Sequence, residues 1–492
     1  MRMRSFSIYD MIVRNARISG GEIAVRAETE TRTFAEFLSD VDRLAAGLVL
    51  RGVGRGDRLA ILALNHPGFL ALFGAAAALG AVVVPINWRL ADEEIGYILS
   101  DCAPKMVFAD DAHADRVRSA APERALHRIE QLPNLFYEGP LPPGEPAGDA
   151  PYCIIYTAAV EGKPRGAVLT HENLISANLQ TVAAMGLSGR DAYLNMLPMF
   201  HITGINLALA VMHVGGKNVV VQKFDERLAV KKTVAEDVTL WGAFPPMLAR
   251  LNDVLADGSA KVPSLRYVLG LDGPDNIKPF EERTNAQFWM LYGQTETSGI
   301  VTFGPAMEKP GSAGRQGMLV RFRLVDEGEN EVPLGETGEI VVQGPLVFQG
   351  FWNQPETNRH TFRNGWHHTG DLGALDADGY LFFKGRKPEK ELIKPGGENV
   401  YPAEVEAVIL EHPDVLEVSV IGVPDSKFGE GVKAVCVLRK GASLTLEELA
   451  EFVASKIARY KKPRYAEFVP ELPKTAVGKI DREKVKAAFG GS

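Results

Sequence analysis

Short apolar runs that alternate with helical patterns constrain this chain more than any other feature. LAILAL (59–64), AVVVPI (81–86) and KMVFAD (105–110) read as strands covered on both faces. Before them, Thr33 to Arg51 carries Phe34, Phe37, Leu38, Val41, Leu44, Ala45 and Leu48 near helical spacing. Such alternation predicts an α/β sheet with helices on both faces. CIIYT (153–157), a helix from His171 onward, NVVVQ (218–222) and RYVLGL (266–271) continue it. From about residue 312 the texture changes to short strands with close turns, RFRLVDEGEN, GEIVVQG and GYLFFKG, which suggests a smaller β-rich subdomain. A last segment begins again with a helix at Ala403–Leu410, strands VSVIGV (418–423) and AVCVL (434–438), and a helix from Leu446. The expected class is α/β: a large N-terminal domain of stacked α/β sheets plus a β-rich subdomain, and a small mobile α+β C-terminal lid. The expected boundaries are 1–385, a hinge segment at 386–395, and 396–492.

Composition enters by exclusion. With 46% apolar and 24% charged residues in 492, the chain is neither disordered nor fibrous. Its formal charge of −8 argues against a nucleic-acid binder. Cys102, Cys153 and Cys436 form no CxxC pair and fit a reducing, cytoplasmic setting. Met1 to Arg17 has no apolar core of a secretory signal. Phe69 to Ile86 holds no charge over 18 residues, at the lower limit for a spanning helix. Its alanines, Gly74, Gly80 and the β-branched VVVPI predict a buried helix followed by a buried strand, with no integral membrane segment. Between Lys456 and Lys486 ten Lys/Arg face four acids, a bias that a solvated helix explains and that would also attract a polyanion such as ATP or CoA.

Five segments carry candidate chemistry. YTAAVEGKPRGAVLTHENL (156–174) is a strand, a loop with Lys163 and Arg165, and a helix, a pattern able to offer N–H groups and cations to phosphates. LPMFHITG (197–204) sets His201 among apolar residues, and in isolation a core or helix-capping histidine explains it. YGQTE (292–296) puts Glu296 where a carboxylate oxygen can hold a divalent cation, or in an ordinary surface turn. In GWHHTGDLGALDADGYLFFKGR (365–386), His367 and His368 point to opposite faces of a strand and so do not share an ion. Asp371 suits a ribose diol, with Arg386 for the same sugar or a phosphate. In LPKTAVGKIDR (472–482), Lys479 follows a glycine and can enter a cleft as a point charge.

Together and in this order, these segments resemble the adenylate-forming superfamily of acyl- and aryl-CoA synthetases, luciferases and peptide-synthetase adenylation domains. The likeness runs from GVGRGDRLAIL (52–62) to LPKTAVGKIDR, and GGENVYPAEVE (396–406) and GVPDSKFGEGVKAVCV (422–437) are similar to the acyl-CoA ligase branch. The resemblance implies two half-reactions in one site. A carboxylate takes AMP from ATP, the lid rotates, and the CoA thiol displaces AMP. It implies that Lys479 bridges carboxylate and phosphate, that Glu296 with Thr157 holds Mg²⁺, and that Asp371 and Arg386 bind ribose. Tyr292, Gly293, Gln294 and Thr295 would line the nucleotide, as would Asp272, Gly273 and Pro274. Thr157, Gly162, Lys163, Arg165 and Gly166 would form the phosphate loop. Lys390, Gly396, Gly397 and Glu398 would bring the lid's share of the nucleotide and CoA contacts. His201 would gate an acid pocket that includes Ile202, Asn206, Phe244, Gly270 and Met318. This pocket is apolar apart from Asn206, which favours a fatty or aromatic acid over a diacid. The partners implied are a carboxylic acid, ATP and CoA, and a homodimer is allowed.

Two departures stand out. The family's phosphate loop usually reads Thr-Ser-Gly-Thr-Thr-Gly-x-Pro-Lys-Gly, whereas here Ala158, Ala159, Val160 and Glu161 replace the middle of it. The usual Gly-Gly-Ala-Pro of the adenine strand reads Leu271-Asp272-Gly273-Pro274. The hinge segment is also two residues longer than the common form, and aligning back from Gly396 puts Lys390 and Glu391 on the hinge pair. The expected function is an acid–CoA ligase. The alternative is a degenerate nucleotide- or acyl-binding member with little adenylation activity.

Overall fold

In the computed structural model, residues 6–28, 30–141, 147–157, 164–256, 258, 261–387, 392–474 and 480–491 are described. The expected helix forms as Phe34–Leu50. The Thr33 hydroxyl accepts from the Glu36 N–H while the Glu36 carboxylate accepts from the Thr33 N–H, which satisfies two orphan donors of the first turn. The uncharged run becomes the helix Pro67–Leu79, ended by Gly80 at φ +66°, and then the strand Val82–Pro85. Among the described residues no helix is long and apolar enough to cross a membrane.

Two large sheets share one core. The seven-stranded sheet runs 350–351, 165–170, 151–157, 82–85, 58–62, 106–109, 126–128, and the nine-stranded one runs 315–316, 302–305, 287–292, 267–270, 240–243, 192–195, 217–220, 23–26, 31–33. The helices Ile8–Ile18, Phe34–Leu50, Pro67–Leu79 and Ile202–His213 join both in a single apolar cluster that reaches Val83 and Cys153 of one sheet and Tyr193 and Leu240 of the other. The strands Ala192–Asn195, Leu240–Ala243, Tyr267–Gly270 and Gln287–Tyr292 are mutually parallel, so their carboxyl ends open along one edge. That edge is where an α/β sheet offers a ligand crevice. Gly270 is required in the middle of it, because a Cβ there would lie 1.7 Å from the Ala243 carbonyl oxygen.

The β-rich unit is the expected one, with strands Arg321–Val325, Gly338–Gln343, Trp366–Leu375 and Leu381–Arg386 pairing antiparallel in turn. The C-terminal unit has its own three-stranded sheet, Val415–Asp425, Gly429–Leu438 and Tyr465–Phe468, with an apolar cluster on each face. Period-two alternation divides the strands between the faces: Val418 and Val420 go to one cluster, Ile421 and Val423 to the other. All three cysteines are buried and unpaired.

Candidate active site

A cavity at the open edge of the nine-stranded sheet gathers residues from both domains. From the strand ends come His201, Phe244, Leu271, Gly293 and Glu296, and Thr157 closes it from the other sheet. Asp371, which also lines it, is buried at 5% exposure. The Tyr292 hydroxyl donates to Asp371 Oδ2 at 2.9 Å and Gln294 Nε2 donates to the same oxygen at 2.7 Å. Arg386 Nε lies 3.2 Å from Oδ1, and the strand pairing sets Asp371 directly opposite Arg386. Burial, and then the Asp371 charge, hold the Tyr292 hydroxyl well above its usual range, so it stays a donor. A carboxylate fixed on several sides in this way is preorganised to accept hydroxyl groups.

Glu296 sits in the short 3₁₀ turn Thr295–Thr297, where the Gln294 N–H donates to the Thr297 hydroxyl. Gly293 is needed there, since a Cβ would meet the Gly299 carbonyl oxygen at 2.2 Å. His201 caps the helix Ile202–His213, its Nδ1 accepting from the Thr203 N–H. The remaining proton is therefore on Nε2. Enclosure in the cleft, then Lys394 and Arg89, push its pKa down to about 4. It is a neutral imidazole, and its ring meets that of Phe244 edge-on at 6.5 Å.

Arg165 pairs with Thr157 across adjacent strands, with Gly166 beside Tyr156 and Ile154, where its missing Cβ leaves room for the Ile154 side chain. Gly162, Lys163, Lys390 and Lys479 lie outside the described residues. Asp272 turns to the Gly273 N–H and the Asn276 amide at the start of the helix Pro274–Thr284, and it is the neighbouring Leu271 that lines the cavity. Asn206 is buried, donating to the Ser298 carbonyl. Met318 corrects the expected pocket. The Gly317 and Leu319 backbone is held against Gln180, which leaves the Met318 side chain 65% exposed and away from the cavity.

Lys394 was not expected. It lines the cavity beside Asp371 and Arg386, and its backbone N–H donates to Glu430 at 2.6 Å. Burial, and then Arg386, lower its pKa to about 8. Gly396 (φ +60°) and Gly397 (φ +85°) follow in the left-handed region, and the bare backbone lies against Phe244 and Pro245 of the larger domain. Glu398 accepts from Arg89 at 2.8 Å and Asn87 at 3.1 Å. A second cavity of about 300 Å³ opens between the domains, with Trp88, Met247, Phe428 and Arg464 in its walls. It shares His201, Phe244 and Gly397 with the first, so the two meet at those residues.

The AMP-binding enzyme family matches residues 12–352, and the AMP-binding enzyme C-terminal domain matches 404–479. The chain is 34% identical to an indoleacetate–CoA ligase of Aromatoleum aromaticum, over 97% of both chains. It is 35% identical to a feruloyl-CoA synthase of an Amycolatopsis species, over 99% of this chain and 100% of that one. Among solved structures it is similar to o-succinylbenzoate CoA synthetase of Bacillus subtilis, at 29% identity. A double mutant of that enzyme bound to a product analogue, OSB-NCoA, superposes with a TM-score of 0.87 over 98% of this chain and 99% of that one. The complex with its acyl-adenylate intermediate, covering 100% of both chains, gives 0.72.

Proposed function

The chain belongs to the AMP-binding enzyme family and is an ATP-dependent, AMP-forming carboxylic acid–CoA ligase, and on that footing we propose that its acid is aromatic or arylalkanoic. The observation that carries the reading is the junction of the two cavities at His201, Phe244 and Gly397. One side holds the polar set suited to a nucleotide, the other is a channel for a long thiol arm, and the reacting carboxyl belongs where they meet.

In the first half-reaction a carboxylate oxygen attacks the α-phosphorus of ATP and pyrophosphate leaves. Asp371, held by Tyr292, Gln294 and Arg386, accepts the ribose hydroxyls and so fixes the nucleotide for in-line attack. Glu296 and Thr157 offer the hard oxygen donors that Mg²⁺ takes. No group of three His, Cys, Asp or Glu exists among the described residues, so phosphates and water would complete its shell. The ion would neutralise phosphate charge. His201, being neutral, orients the acid without adding a second cation to its carboxylate. In the second half-reaction the thiol sulfur attacks the acyl carbon, the C–O bond to phosphate breaks, and AMP leaves as the thiol proton passes to solvent. Lys394 is placed to face the phosphate in this step.

The wall formed by Phe244, Ile202, Leu291 and the two bare glycines Gly293 and Gly299 is apolar and suits a planar ring. Relatives that act on indoleacetate and ferulate support that choice. We assign residues 1–385 to acid and ATP binding, 386–395 to the hinge and 396–492 to the lid. The three buried thiols support a cytoplasmic setting, and a homodimer is compatible with the same chemistry. Pyrophosphate release over a panel of aryl, arylalkanoic and fatty acids, with and without CoA, tests the reading. Turnover of aromatic acids above fatty ones is expected, and preference for long-chain fatty acids would overturn the acid assignment.

A further inference from the structure

Glu94 stands on the first turn of the helix Asp92–Cys102 in the larger domain, 7% exposed. It lines none of the three cavities that share His201, one of which has Lys461 in its wall. Its Oε2 accepts from the Ala91 N–H of its own helix start at 2.8 Å and from the Ala458 N–H of the lid at 3.0 Å. Its Oε1 accepts from Lys461 Nζ, also of the lid. Lys461 has no exposed surface, and its other partner is Glu404 of the lid helix Pro402–Leu410, at 2.7 Å. A lid cation is thus clamped between one carboxylate that travels with the lid and one that does not.

An ammonium is buried only where partners replace its water. If the lid turned away, Lys461 would keep Glu404, whereas both of the lid's bonds to Glu94 would break. Glu94 therefore stabilises this lid orientation over any other. Over the whole chain the structure superposes better on the product-analogue complex, at 0.87, than on the acyl-adenylate complex of the same enzyme, at 0.72. We propose that Glu94 is a positioning residue of the thioester half-reaction: it captures Lys461 and holds the lid where CoA attacks. This rests on the two-step reading above.

The test is Glu94→Gln, which keeps the shape and an acceptor for the Ala91 N–H but removes the charge. Acyl-CoA formation from supplied acyl-AMP should fall about ten-fold or more, as expected for breaking a buried pair. Acid-dependent pyrophosphate release without CoA should stay within about two-fold. Lid position is read independently of activity by pulsed EPR between spin labels at Arg190→Cys and Glu447→Cys, two exposed sites in a chain whose native cysteines are buried. The docked distance should dominate in the CoA-bound parent and lose population in Glu94→Gln, and in Lys461→Gln made from the lid side. An unchanged distance distribution, or equal loss of both half-reactions with a lower unfolding temperature, would overturn the proposal. A protein inactive with every acid would fail the functional reading instead, and the distances alone would then decide on Glu94.

Discussion

Lys394 is a cation placed where cations are expensive, and its proton is correspondingly loose. Burial and Arg386 bring it to about 8, so its charge is full below that pH and lost above it. If it faces the phosphate as AMP leaves, acyl-CoA formation from acyl-AMP should slow as pH rises through about 8. Lys394→Met should lower that rate roughly ten- to a hundred-fold and abolish the alkaline limb; retention of both would count against the role. His171 carries the opposite lesson. Its ring stacks on Tyr152 with centroids 4.3 Å apart, its Nδ1 accepts from the Ile8 N–H, and burial pushes its pKa down to about 4 from 6.5. Between those values the unfolded chain binds the proton that the folded chain refuses, so stability rises with pH across the window and is lost as pH falls from about 6.5 to 4. His171→Gln should flatten that part of the unfolding profile by roughly 1–3 kcal/mol. A denaturant midpoint with the same pH slope in the variant would show that other groups dominate.

At the scale of the element, the phosphate loop is where this chain departs most from the superfamily it resembles. Thr157 and Arg165 face each other at the ends of two paired strands, and residues 158–163 between them lie outside the described residues. Ala158, Ala159 and Val160 bring no side-chain donors, and Glu161 brings a charge of the wrong sign. Restoring Ser, Gly, Thr and Thr at 158–161 should lower the KM for ATP about ten-fold or more, since a hydrogen bond to a charged group contributes about 1.5–3 kcal/mol. The KM for the acid should hardly move, and an unchanged ATP KM would refute this account. The loop could be singled out from sequence because its motif is contiguous, as were the strand runs, whose apolar character is local. The Asp371–Arg386 pair was equally legible, its members flanking a single β-hairpin. Lys394 was not legible: GRKPEKELIKPGG offers Lys387, Lys390 and Lys394, and only docking of the lid decides which one faces the cleft. Met318 failed because its apolar character says nothing of the backbone on either side of it, which is pinned to Gln180. Glu94 sits in an acidic first turn with Asp92 and Glu93, which helix-dipole preference explains fully without a partner from the lid.

At the scale of the whole molecule, the C-terminal sheet carries a different segment on each of its faces. Ile393, next to Lys394, packs into the cluster on one face of that sheet with Val418, Val420 and Ala434. Ile480, next to Lys479, packs on the other face with Ile421, Val423 and Val435. Ile393 and Ile480 are thus rooted on opposite sides of a sheet only one layer thick, and a lid that turns as one body would bring the two segments to the cleft in turn. In this orientation the face bearing Lys394, Gly396 and Gly397 meets the larger domain. Joining a carboxylate to a triphosphate needs a cation between two anions, and the superfamily assigns that task to the lysine matched by Lys479. Lys479→Ala should therefore lose acid-dependent pyrophosphate release by about a hundred-fold or more while converting supplied acyl-AMP and CoA to acyl-CoA at close to the parent rate. Lys394→Met should show the reverse split, and the double variant should lose both steps. Equal loss of both half-reactions in Lys479→Ala would mean that its segment reaches the cleft in either orientation, and the division of labour between the lid's two faces would have to be abandoned.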